Sequence, residues 1–92
     1  MTNLTRHAAV RLQQRAIPAV MVKLFEEYAS ETRSGGADCL FFDRAARKRL
    51  QAAMGGARGL RIYEPWLNVY FVINDEGDVV TAGHRSKRRK QH

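Results

Sequence analysis

From Leu67 to Asn74 the chain alternates. Leu67, Val69, Phe71 and Ile73 fall on one face, and Asn68, Tyr70, Val72 and Asn74 on the other. This period of two predicts a strand with one face in the core. The turn-forming run Asp75-Glu76-Gly77-Asp78 follows, and Val79 to His84 is again extended, so the pair reads as a β-hairpin. The first third of the chain has a helical period instead. Thr5 can accept from the free N–H groups of a first turn, and the helix it opens runs to about Arg15. Ala8, Leu12 and Ala16 form the apolar face of that helix. Pro18 fits the start of a second helix, where its missing N–H costs nothing. That helix reaches about Ser30, with Val20, Met21, Leu24, Phe25 and Tyr28 turned inward and Glu26 and Glu27 outward.

The middle of the chain is less periodic. Thr32 to Gly36 reads as a loop. Cys39-Leu-Phe-Phe42 is apolar throughout, which predicts a short strand buried on both faces. Asp43 caps a third helix over 44–54, with Ala45, Ala46, Leu50, Ala53 and Met54 inward, and Gly55-Gly56 stop it. Leu60 to Tyr63 is expected to be another strand, and Pro65 marks a turn. The predicted fold class is α+β: two N-terminal helices, then a mostly antiparallel sheet of about four strands with a helix inserted after the first strand. Residues 1–84 make a single domain, and 85–92 form a basic tail that is expected to be mobile.

Composition narrows the picture. The chain has 92 residues, of which 45% are hydrophobic, enough for one folded domain with a modest core. The longest apolar run, Val69 to Ile73, is far too short to span a bilayer. The first residues lack the apolar stretch of a secretory signal. Cys39 is the only cysteine, so no internal disulfide is possible, and a reducing cytoplasmic setting is expected. Three histidines and one cysteine never stand at ligand spacing, so neither a metal nor another cofactor is expected.

Charge is the feature that points to a partner. Of the 16 Lys and Arg residues, Arg85, Lys87, Arg88, Arg89 and Lys90 lie within six positions. Residues 1–84 carry eleven basic and nine acidic side chains, so the body is almost neutral. A dense cationic segment binds a polyanion by releasing its counterions, and nucleic acid is the expected partner, RNA more than DNA. The same segment also fits an acidic protein partner, or a solvated tail that aids solubility.

Other residues could carry chemistry. His7, Arg11 and Arg15 share a helical face, where an imidazole and two guanidiniums could hold a phosphate. They also fit a plain solvated face. If His84 met His7, two imidazoles with Arg11 would suit a metal-independent ribonuclease, one taking the 2′-hydroxyl proton and the other protonating the leaving oxygen. Arg44, Arg47 and Lys48 on the third helix are candidates for phosphate contact, although their charges wrap around the helix rather than forming one stripe. Tyr70 points away from Phe71 and could stack a base from a sheet face.

The run Leu4-Thr-Arg-His-Ala-Ala-Val-Arg-Leu-Gln-Gln-Arg-Ala-Ile17 resembles the T-x-H-A-x-x-R-x-x-x-R-x-I opening of the domain-of-unknown-function family numbered 4258. Thr5, His7, Ala8, Arg11, Arg15 and Ile17 are the matching positions. The hairpin Asn68 to Gly83 and the basic end fit as well, so the resemblance spans nearly the whole chain. It implies kinship with the RelE-like, BrnT-like and barnase-like small α+β proteins, many of them ribonuclease toxins. On that reading His7, Arg11 and Arg15 are the first candidates for an active face, and His84 and Arg85 the second. The basic helix between Asp43 and Gly56 departs from the more compact RelE-like pattern. Three functions follow as expectations: a toxin-type endoribonuclease, a non-catalytic nucleic-acid-binding module, or an interaction protein docked by an acidic partner.

Overall fold

The computed structural model describes residues 3–85. It has the expected α+β architecture. Strand β1 (Asn3–Leu4) is followed by helices α1 (Arg6–Gln14) and α2 (Val20–Tyr28). Next come strands β2 (Ser30–Ser34) and β3 (Ala37–Phe41), helices α3 (Arg44–Ala53) and α4 (Ala57–Arg61), and strands β4 (Val69–Ile73) and β5 (Asp78–His84). The sheet order is β1-β5-β4-β3-β2. Four strands are antiparallel, and β1 adds a short parallel pairing at the edge of β5. Among the described residues no helix is long and apolar enough to cross a membrane.

Local chemistry sets the helix ends. The Thr5 hydroxyl accepts from Ala8 N at 3.1 Å, and Asp43 Oδ1 accepts from Ala46 N at 2.9 Å, so both expected N-caps are in place. At the end of α3, Gly56 N donates to Gln51 O at 2.9 Å and Gly55 N to Ala52 O at 3.4 Å, a Schellman pairing with Gly55 at φ 84°. Helix α1 ends in the same way one residue earlier than its apolar pattern suggests. Ile17 N donates to Leu12 O at 2.8 Å while Ala16 takes φ 53°.

The helices cover one face of the sheet. Phe25 of α2 meets Phe42 and Phe71 edge-on, at centroid distances of 4.7 and 4.5 Å. Around them pack Ala8, Leu12, Met21, Leu50, Val69 and Val79, all buried. This apolar burial is the main stabilising term of the fold.

Several expectations are corrected. Ala16 is exposed, because the left-handed turn carries it out and puts Ile17 into the core. Val20 is 51% exposed, and Val22 is buried in its place, since α2 begins only at Val20. Ala45 and Ala53 are also exposed. Thr32 to Ser34 is not loop but part of β2, an edge strand, and only Gly35-Gly36 turn, with φ 58° and 79°. Residues 60–63 are not a strand: α4 ends at Arg61 and a turn follows. Gly59 allows that helix to pack, because a Cβ there would collide with the Met54 carbonyl. Cys39-Leu-Phe-Phe42 is buried on one face only. Leu40 and Phe42 enter the core, while Cys39 and Phe41 are half-buried on the face away from the helices.

Candidate nucleic-acid interface

Alternation along the strands defines this second sheet face. Phe41 pairs with Tyr70 and Cys39 with Val72 across β3 and β4. Tyr70 in turn pairs with Gly83, and Val72 with Thr81, across β4 and β5. Phe71 and Ala82, one step out of phase, are in the core. The open face therefore carries Cys39, Phe41, Tyr70, Val72 and Thr81, each half-buried.

Tyr70 lies across Gly83. A Cβ at position 83 would stand 2.9 Å from Cε1 and from the hydroxyl oxygen of Tyr70, so only glycine leaves room for this ring. Gly83 is buried as a result. Arg85 continues β5 past its last paired residue. Its N–H donates to Asn68 O at 2.6 Å, and its guanidinium sits 5.0 Å from the centroid of Phe41. The Cys39 thiol is pushed above its ordinary pKa by burial, an effect that the nearby Arg85 charge partly opposes.

The remaining candidates lie elsewhere. Thr5 N donates to Val79 O at 3.0 Å, which fixes the start of α1 beside the start of β5. Trp66 Nε1 donates to Ala16 O at 3.0 Å, which fixes the far end of α1 just ahead of β4, whose Val69 pairs with His84. Helix α1 therefore runs along β5 in the same direction. His7 stands in its first turn near Val79, and His84 lies five residues further along β5, about 16 Å of strand. The two histidines thus sit toward opposite ends of the α1–β5 pair. Among the described residues no hydrogen bond joins either one to the other. Arg11 Nε instead reaches His7 Nε2 at 3.5 Å, the long limit of a hydrogen bond, on the exposed side of α1. Arg15 caps the other end of the same helix.

The basic helix α3 separates by role. Arg47 is paired with Glu64 at 3.0 Å. Arg49, which the sequence pattern did not single out, donates to Tyr28 O at 3.0 Å and to Ser30 Oγ at 3.2 Å, so it satisfies the end of α2. Arg44 and Lys48 are exposed. His7, Arg11, Arg15, Arg44 and Lys48 all belong to the helix layer, whereas Arg85 is on the open sheet face. Lys87, Arg88, Arg89 and Lys90 lie outside the described residues. Among the described residues no group of His, Cys, Asp and Glu could hold a metal.

No family model matches this chain, and no curated protein or solved structure matches it.

Proposed function

We propose that this protein is a non-catalytic RNA-binding module that grips the phosphate backbone with the basic segment starting at Arg85. One observation carries the reading. Arg85 is docked on the open sheet face against Phe41, and after Ser86 the cations Lys87, Arg88, Arg89 and Lys90 follow in sequence. The attraction is that of a concentrated positive charge for a chain of phosphates. Three arginines of the body are meanwhile engaged in structure. Arg33 bridges Asp38 and Asp75, and hydrogen bonds first to Asp75 and then to Asp38 hold its guanidinium even more firmly charged than usual. Arg47 and Arg49 are engaged as described above.

An endoribonuclease of the toxin type is less well supported. Proton transfer at one phosphate needs both imidazoles within hydrogen-bond reach of it, and His7 and His84 stand toward opposite ends of α1 and β5. The likeness of Thr5, His7, Ala8, Arg11, Arg15 and Ile17 to the family 4258 opening fits an RNA-directed protein without requiring cleavage.

The test is a titration of a labelled single-stranded RNA oligomer with the full chain and with a chain ending at Arg85, over a range of salt concentrations. The full chain should bind with a steep salt dependence. Removal of four cations should flatten the slope of log K against log salt by about 2 to 3, at roughly 0.7 per phosphate contact. An unchanged slope would remove the basic segment from the interface.

A further inference from the structure

We propose that the open sheet face stacks the bases of single-stranded RNA, with Tyr70 and Phe41 as its floor and Arg85 at its edge. The inference rests on the RNA-binding reading above and deepens it, because backbone contacts alone do not need a sheet face.

Four observations converge. First, Phe41 and Tyr70 are direct cross-strand partners, which places their Cβ atoms about 5 Å apart on one face, with the Tyr70 ring leaning over Gly83 of β5. Second, Tyr70 is held down by Gly83, the one residue type whose missing Cβ admits the ring. Both residues are only half-buried. Third, the Arg85 guanidinium sits over Phe41, and a planar guanidinium stacks on a base as an aromatic ring does. Fourth, the face suits a polyanion in charge. Thr32, Cys39, Phe41, Tyr70, Val72 and Thr81 include no carboxylate, while Glu31 and Asp38 alternate to the other side with Leu40 and Ile73. A strand of RNA can then lay its bases on the rings, with Arg85 beside them. Stacking on aromatic rings tolerates any base, so the site has little sequence preference.

A purely structural role for the ring pair would also place Tyr70 over Gly83, and the experiment separates the two. Binding of the full chain is measured by anisotropy for a single-stranded RNA oligomer and for an abasic ribose-phosphate oligomer of equal length. Tyr70→Leu and Phe41→Leu keep an apolar cross-strand contact and remove the π faces. Each should weaken binding of the RNA oligomer about tenfold and leave the abasic oligomer unaffected. Bound RNA should also slow alkylation of Cys39, which shares the face, whereas the abasic oligomer should slow it much less. The Cys39 measurement uses the unaltered protein and decides the matter if either variant melts early. Equal affinity for both oligomers, with RNA leaving Cys39 fully reactive, overturns the stacking site and leaves the phosphate-binding reading standing. Failure of the full chain to bind either oligomer overturns both.

Discussion

Ser30 Oγ donates to Asp43 Oδ1 at 2.8 Å, and this contact joins the first residue of β2 to the N-cap of α3. The same carboxylate oxygen accepts from Ala46 N. One side chain thus starts a helix and fixes where the sheet edge meets it.

Asp43→Ala should cost about 1 kcal/mol, a typical value for a lost N-cap, and lower Tm by roughly 4–8 °C for a domain of this size. The hydrogen bond from Ala46 N, followed by that from Ser30, holds the Asp43 carboxyl below its usual pKa. A depressed native pKa means that the stabilisation is complete above the ordinary carboxylate range. It is lost as pH falls through the lowered native value. Melting curves should therefore show the gap between wild type and Asp43→Ala closing in acid. Asp43→Asn, itself a good cap, should keep most of the stability at neutral pH.

Ala16 holds φ 53° at the end of α1, a conformation that costs a residue with a Cβ about 1–2 kcal/mol. Glycine relieves this strain but adds about 0.4–1 kcal/mol of unfolded-state entropy. Ala16→Gly should therefore be neutral to mildly stabilising. The Trp66 hydrogen bond to Ala16 O is made to backbone and survives the change. A fall in the denaturation midpoint would show that the turn is unstrained as built.

The helices and the last hairpin were legible because their signals are local. Thr5, Asp43 and Gly55-Gly56 mark ends by chemistry that acts within one turn, and the alternation from Leu67 to Ile73 follows directly from a one-sided core. Strand β2 was not legible. Ser30 to Ser34 is polar throughout, since an edge strand whose residues are mostly in water needs no apolar alternation. Leu60 to Tyr63 misled in the opposite way, because Leu60, Ile62 and Tyr63 suit a strand, and only the packing of Gly59 against Met54 explains the short helix. The site was half legible. Tyr70 could be assigned to a non-core face from its own strand. Phe41 beside it could not, because an apolar run conceals which of its faces is covered. Arg49 looks like its neighbours Lys48 and Arg47 until the fold brings the end of α2 to it.

The placement of His7 at the start of α1 and of His84 at the end of β5 bears on catalysis. Full-length protein in EDTA should leave a single-stranded RNA oligomer intact at concentrations that saturate binding. The double variant His7→Ala/His84→Ala should bind that oligomer as the wild type does. Cleavage that either substitution reduces by about a hundredfold, within the usual range for a general acid or base, would restore the ribonuclease reading and require the two residues to act at one phosphate.

The arginines and lysine of α3 offer a test that separates structure from binding. Arg44 and Lys48 are exposed on the helix layer, on the side of the sheet opposite Tyr70 and Phe41. Replacing both with Ala should change stability by no more than about 0.5 kcal/mol, as for ordinary surface sites. RNA affinity at fixed salt should also be nearly unchanged. Arg49→Ala should behave differently, because it removes the donor to Tyr28 O and Ser30 Oγ. The carbonyl at the end of α2 then loses a partner, at a cost of about 1 kcal/mol, and Tm should fall while RNA affinity holds. Chemical denaturation and anisotropy on the same samples separate the two effects. If Arg44→Ala/Lys48→Ala weakens RNA binding as much as loss of the residues after Arg85, the phosphates run over the helix layer and not along the open sheet face.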